Sequence, residues 1–216
     1  MRTIRITGTG SALPGRIVTN KELEQMVETS DEWIRERTGI GERHVSVGET
    51  VVTLASEAAR KALEQAGKRA EEIDLILVAT CSPEQYLPCC ACQVQADIGA
   101  VNALAFDVNA ACSGFLFALN TADAYLRMGL AENALIIGSE VLSKLVDWTD
   151  RGSCILFGDG AGAVVVERCK AESRAVEYGN ALAETEGKRI SAAGILGRAL
   201  HSDGTGGGVL QCGARE

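Results

Sequence analysis

Residues 104–128 read LAFDVNAACSGFLFALNTADAYLRM. The first five, Leu104 to Val108, form a near-continuous apolar run with the length and composition of a parallel strand covered on both faces. The chain then passes through Asn109-Ala110-Ala111 into a stretch, Gly114 to Met128, that places Leu116, Leu119 and Leu126 on one side of a helix. Two more runs of the same strand type, Leu75 to Ala79 and Ala134 to Gly138, flank this unit, and a helical stretch from Cys90 to Ile98 lies between the first and second strands. The order βαβαβ predicts an α/β fold on a largely parallel sheet, because parallel neighbours need crossover helices to connect them.

Upstream, Ile4 to Thr9 reads as a first strand and Gly8 to Gly15 as a turn rich in breakers. The Gly8-Thr9-Gly10 spacing opens like a dinucleotide fingerprint. That motif needs a third small residue opening a helix, whereas Leu13 and Pro14 stand here, so a plain strand-end turn is expected. Thr19 and Glu22 form a capping box ahead of Leu23, Met26 and Val27, which share one face of a short helix. A second helix starts at Ser30, carries Asp31 and Glu32 in its first turn, and stops at Gly39. Thr53 to Ala66 forms a longer helix with a stripe of Leu54, Ala55, Ala58, Ala59, Ala62, Leu63 and Ala66, ended by Gly67. Downstream, the stretch from Ile155 to Gly160 and that from Ala161 to Glu167 read as two short strands joined at a glycine-rich turn. From Lys170 to Arg189 the chain is charged, and Gly204-Thr205-Gly206-Gly207-Gly208 follows; no core pattern or internal repeat marks this tail.

A formal charge of -8, with Lys and Arg scattered among more numerous acids, excludes a nucleic-acid partner. No window approaches the roughly 18 apolar residues of a membrane span, and the opening residues lack the apolar core of a signal peptide. A cytoplasmic protein is expected, with its eight cysteines reduced rather than locked in a disulfide framework.

Cys112 sits where a strand end turns into a helix. A thiol there meets the positive end of the helix dipole and free backbone N–H groups, which favour thiolate and can receive the oxyanion of a tetrahedral intermediate. Ala110, Ala111, Ser113 and Gly114 leave room for a bulky thioester. The competing reading is a buried structural cysteine. Cys89-Cys90-Ala91-Cys92 contains a CxxC spacing, but a zinc site needs a second pair that Cys81, Cys112, Cys154, Cys169 and Cys212 do not form. Packing of small thiols in the first turn of a helix is the expected role, with a redox site as the competitor. No metal site is expected. The two histidines, His44 and His201, read as solvated surface residues. Trp33 and Arg37 share a helix face and can stack a base and hold a phosphate, or serve as a core tryptophan beside a solvated arginine. Arg151 is a similar open case.

The run from Asp107 to Phe115, DVNAACSGF, resembles the active-site segment of β-ketoacyl-acyl-carrier-protein synthase III. Thr29 to Ile34 followed by Arg37-Thr38-Gly39-Ile40, the triplet Gly138-Ser139-Glu140, and the stretch Phe157 to Ala163 resemble the same family in the same order. The resemblance covers residues 1 to about 168 and implies an α/β, thiolase-like fold, of which this chain is the amino-terminal half: a mixed, largely parallel sheet covered by helices on both faces. It also implies a homodimer and a reaction. An acyl group passes from acyl-CoA to Cys112, and the carbanion from decarboxylated malonyl-acyl carrier protein then attacks the enzyme-bound thioester. Trp33 and Arg151 are implied to sandwich the adenine of coenzyme A, with Thr29, Arg37 and Gly152 nearby. Leu142 and Phe157 are implied to line the acyl pocket. The coenzyme A thioester is a substrate, so no cofactor is implied.

Leu87 stands where the family often has a phenylalanine reaching the partner subunit's acyl pocket, and its smaller side chain leads us to expect starters somewhat larger than acetyl. The family's catalytic histidine and asparagine fall downstream of Glu216, so condensation is expected to fail in this chain even where acyl transfer survives. Residues 1–168 are expected to form the domain carrying Cys112. Residues 169–216 are expected to be a charged, glycine-rich connection with an extra segment over 170–189, leading to a second half. A half alone is expected to expose an apolar helix face. The competing functions are another CoA-dependent thiolase-fold acyltransferase and a non-catalytic fragment that dimerises or binds acyl-CoA.

Overall fold

The computed structural model describes residues 2–170, 173–174, 191–192, 195, 197–206 and 212. In chain order these form β1 (Arg2–Ala12), β2 (Arg16–Thr19), α1 (Asn20–Leu23), α2 (Asp31–Thr38), β3 (Glu42–Val45), α3 (Val51–Ala66), β4 (Leu75–Ala79), α4 (Cys90–Ile98), β5 (Leu104–Val108), α5 (Gly114–Met128), β6 (Asn133–Val141), α6 (Arg151–Cys154) and β7 (Asp159–Lys170). Most of the expected charged segment 170–189 and most of the tail lie outside the described residues.

Five strands make one sheet in the order β1-β7-β6-β4-β5. β4 pairs in parallel with β5 and β6, while β7 runs antiparallel to both β6 and β1. The sheet is therefore mixed, with parallel pairing confined to the βαβαβ unit that the sequence marks out. Alternation along the strands sends side chains to opposite faces. Ile76, Val78, Leu135, Ile137 and Val165 pack under α3 and α4, and Leu75, Leu77, Ala79, Ile136 and Val166 pack under α5. The large aliphatic side chains are fully buried and contribute about 1.5–3 kcal/mol each.

Local chemistry sets the helix ends. Ser30 caps α2 through the Trp33 N–H, and Gly39 ends it at φ 75°. Thr50 and Thr53 form a reciprocal cap on α3, which thus starts two residues before the expected position. The capping box of Thr19 and Glu22 is present, yet α1 lasts only four residues: Leu23 is buried, whereas Met26 is half exposed.

Three expectations need correction. Gly8 and Gly10 are not a strand-end turn but lie inside β1. A methyl on Gly8 would sit 2.2 Å from the Ala62 carbonyl oxygen and one on Gly10 2.2 Å from that of Ala58, so both glycines let the α3 backbone lie against the strand. The stretch 155–167 is not two strands, since Ile155 is a buried residue following α6 and β7 is a single strand of twelve residues. β5 is only partly buried: Ala105 packs on one face and Phe106 and Val108 on the other, but it is the sheet edge and Leu104 is 53% exposed. The apolar residues of α3 are turned inward, and its exposed positions are Thr53, Glu57, Arg60, Lys61, Glu64 and Gln65. α5 is the helix that leaves large apolar side chains open, with Leu116 54% and Met128 74% exposed.

Candidate active site

Cys112 lies in a 3-10 turn, Ala111–Ser113, between the end of β5 and the start of α5. The turn is tight because Ala111 takes φ 45°, a left-handed conformation that costs a residue with a Cβ of order 1–3 kcal/mol. The Asn109 side chain accepts the Ala111 N–H at 3.4 Å, and the Ala110 carbonyl accepts the Ser113 N–H at 3.1 Å. Gly114 lets the start of α5 settle on β4, where an added Cβ would stand 3.1 Å from that of Ala79. The outcome is an exposed Cys112 immediately ahead of a fifteen-residue helix whose cap residue, Ser113, makes no side-chain capping bond. N–H groups at such an end have no intrahelical partner and are placed to receive negative charge. The buried-structural reading of Cys112 is thereby excluded.

The carboxyl ends of the three parallel strands meet beside this turn. Glu140, at the end of β6, accepts the Thr80 hydroxyl at 3.1 Å, the Cys81 N–H at 2.8 Å and the Ser82 hydroxyl. The Ser82 hydroxyl also accepts the Val141 N–H at 2.9 Å. This web ties the loop after β4 to the end of β6. Burial, with the Glu140 carboxylate next in weight and the Cys112 sulfur a lesser influence, pushes the Cys81 thiol up to about 12. Glu140 belongs to the recognised Gly138-Ser139-Glu140 triplet, but sequence reasoning gave it no role, and Thr80 and Ser82 were missed; these partners are about sixty positions from it in the chain.

A second cluster forms around Trp33. The Arg37 guanidinium carbon lies 4.3 Å and that of Arg151 4.7 Å from the indole ring centroid, so the structure brings Arg151 to the pair that the sequence placed on one helix face. Arg151 donates to the Glu28 carbonyl at 3.1 Å. Its helix is capped by Asp150, which accepts the Gly152 N–H at 2.8 Å and is held below the usual carboxylate range chiefly by the Ser153 hydroxyl. Thr29 follows Glu28 in the chain, and its hydroxyl is buried without a protein partner among the described residues. A small core of Val18, Leu23, Ile34, Cys154 and Ile155 fixes α2 and α6 beneath the cluster.

Leu142 and Phe157 are half-buried and flank the paired strand ends where Val141 meets Asp159. Asp159 clamps this corner by accepting the Ser46 N–H at 2.7 Å and the Ser143 N–H at 2.8 Å. Leu87 is apart from them: it is 86% exposed in the loop before α4. His44 is not a solvated surface residue, since its Nδ1 lies 2.6 Å from the Pro14 carbonyl in a half-buried position; His201 is exposed as expected. A cleft of about 590 Å³ between β2, β3 and the loop after β6 includes Ser143 and Trp148 but none of the expected site residues. A hollow of about 340 Å³, floored by Gly10, Gly138 and Gly162 and walled by Phe115, opens three residues from Cys112. Its signal in the sequence is the glycines of three neighbouring strands. Among the described residues no cluster of three or more metal-ligating side chains occurs, and no helix is long and apolar enough to cross a membrane.

Comparison with known proteins adds an independent line. Residues 106–187 match the family model for 3-oxoacyl-(acyl-carrier-protein) synthase III. A β-ketoacyl-acyl-carrier-protein synthase III of Clostridium acetobutylicum is 49% identical over 212 residues, covering 98% of this chain and 59% of that protein. One from Novosphingobium aromaticivorans is 53% identical over 200 residues, covering 92% and 57%. Among solved structures, the 3-oxoacyl-(acyl-carrier-protein) synthase III of Aquifex aeolicus aligns with a TM-score of 0.76 at 49% identity, over 79% of this chain and 59% of that one. A priming β-ketosynthase from the R1128 polyketide pathway aligns at 0.75 and 39% identity, over 77% and 50%. The chain thus spans about three fifths of the length of the curated relatives it matches.

Proposed function

We propose, from the premise that this chain belongs to the β-ketoacyl-acyl-carrier-protein synthase III family, that it carries the acyl-transfer half of a condensing reaction with Cys112 as the acyl acceptor. The observation that carries this reading is the exposed Cys112 thiol at the strained turn into α5. The sulfur attacks the carbonyl of an acyl-CoA. The N–H groups opening α5 receive the developing oxyanion, coenzyme A leaves, and the acyl group stays on Cys112 as a thioester. In the whole protein, malonyl-acyl carrier protein then loses carbon dioxide and its carbanion attacks that thioester, starting fatty acid synthesis.

Recognition of coenzyme A falls to the Trp33 cluster. With Arg151 already 4.7 Å from the indole, an adenine enters only by moving the guanidinium outward by about one aromatic thickness, ~3.5 Å. Arg37 remains to meet phosphate, Gly152 allows close approach, and the orphaned Thr29 hydroxyl gains a partner. Leu142 and Phe157 line the acyl pocket, and Leu87 reaches that of a second copy, where its size admits starters larger than acetyl. That second copy pairs with the free edge of β5, around which Tyr86, Leu87, Val101 and Leu104 are all more than half exposed. The reading carries with it a cytoplasmic setting and no resident cofactor.

Exchange of labelled coenzyme A into acyl-CoA tests the transfer step, because exchange requires a covalent acyl intermediate. We expect the full chain to support exchange and Cys112→Ala to abolish it. Equal exchange by the variant overturns the reading.

A further inference from the structure

We propose that Cys89 and Cys92, at the first turn of α4, form a reversible dithiol–disulfide pair, a redox modification site separate from Cys112. The two Sγ atoms lie 3.4 Å apart, and both residues are half-exposed. A disulfide needs about 2.05 Å between the sulfurs, so closure draws them together by little more than 1 Å.

The local design favours this role over helix capping. Cys89 is the N-cap residue of α4, yet its side chain makes no capping bond. The N–H groups of Cys90 and Ala91 are taken instead by the Asp107 carboxylate of β5, at 2.9 and 2.7 Å. Relieved of capping, the Cys89 sulfur turns to Cys92, one helical turn along. Cys92 also reaches the Ala105 carbonyl at 3.6 Å, which fixes its sulfur on the inner side of the pair. The Cys89 backbone is extended, with φ -64° and ψ 158°, and its carbonyl accepts the first helical bond from the Gln93 N–H at 3.2 Å, so the short closure is made by the two side chains while the helix start stays in place. Cys90, between them, is fully buried, and burial pushes its thiol up to about 12, which removes it as a competitor. With the Cys92 sulfur held against the Ala105 carbonyl and Cys89 at the loop-side end of the turn, Cys89 is the entering nucleophile and Cys92 the resolving thiol.

The oxidant is a low-molecular-weight disulfide. The Cys89 sulfur attacks one of its sulfurs, the external S–S bond breaks, and one thiol leaves carrying the proton that Cys89 gave up. The Cys92 sulfur then attacks the mixed disulfide at Cys89, and the second external thiol leaves with the Cys92 proton. Two protein thiols are oxidised and one external disulfide is reduced to two thiols.

The full chain is equilibrated in mixtures of oxidised and reduced glutathione, blocked with N-ethylmaleimide and mapped by mass spectrometry. We expect an intramolecular Cys89–Cys92 disulfide that forms independently of protein concentration and is reversed by dithiothreitol. In Cys92→Ser it is replaced by a stable glutathione adduct on Cys89, and Cys112→Ala leaves it unchanged, so this result and the fate of the acyl-transfer reading are independent. Phenylarsine oxide, which bridges neighbouring thiols, is expected to bind the wild type one to one, with affinity at least tenfold lower in either single serine variant. Separate alkylation of Cys89 and Cys92 in the most oxidising mixture, or arsenical binding untouched by Cys89→Ser, overturns the proposal.

Discussion

Trp33 carries two guanidinium groups on one indole, and like charges so placed oppose each other while each is drawn to the ring. An adenine that takes the place of Arg151 relieves that opposition and gains two stacking partners. Trp33→Ala and Arg151→Ala are each expected to weaken coenzyme A binding by roughly 5- to 30-fold, the range of a desolvated cation–π contact, with little change in the rate of acyl transfer at saturation. Calorimetric titration with coenzyme A checks the first point, and unchanged affinity in both variants counts against the assignment. The thiols supply a pH test. A raised thiol pKa favours the protonated, folded form, so the contribution of Cys81 to stability is whole below about 9 and is lost as pH rises toward about 12. At pH 8 iodoacetamide is expected to label exposed Cys112 at least about a hundredfold faster than Cys81 or Cys90, a ratio that peptide mapping measures. Cys112 was legible in the sequence because its turn, its small neighbours and its helix are all local. The Glu140 web was not, because Thr80 and Ser82 reach it only through strand pairing.

At the scale of elements, the sequence marks α4, α5, β4 and β5 to the residue, both caps of α2, and the Gly67 end of α3, since strand runs and caps are local signals. It misplaces β1 and β7. Glycine normally punctuates a chain, but Gly8 and Gly10 are in the strand because α3 lies too close for any side chain, a constraint set by an element some fifty residues away. Gly8→Ala is therefore expected to destabilise the fold by about 1–3 kcal/mol or more, seen as a lower urea midpoint with an unchanged slope. Gly15→Ala, where nothing lies within 4 Å of the added methyl, is the control with little effect. Equal midpoints for the two variants would remove close packing as the reason for the glycines. α1 also stops short of its apolar pattern, because Val27 reaches the small core from the turn that follows while Met26 remains half exposed.

At the scale of the molecule, a five-stranded mixed sheet clad on both faces gathers the carboxyl ends of β4, β5 and β6, and Cys112 stands at that edge as ligand sites do in open α/β sheets. β5 reads as a buried strand because its apolar run resembles that of β4; such a run does not tell a central strand from the edge strand that β5 is. Leu104→Lys is expected to shift the chain from dimer to monomer in sedimentation equilibrium, and a wild type that stays monomeric at every concentration contradicts pairing at that edge. The central claim, that Cys112 accepts the acyl group, is tested most directly by the intact mass of the chain after incubation with acetyl-CoA and with longer acyl-CoAs. The account predicts one acyl adduct per chain on the wild type and none on Cys112→Ala. A folded wild type that gains no adduct, or an adduct that survives the substitution, contradicts it.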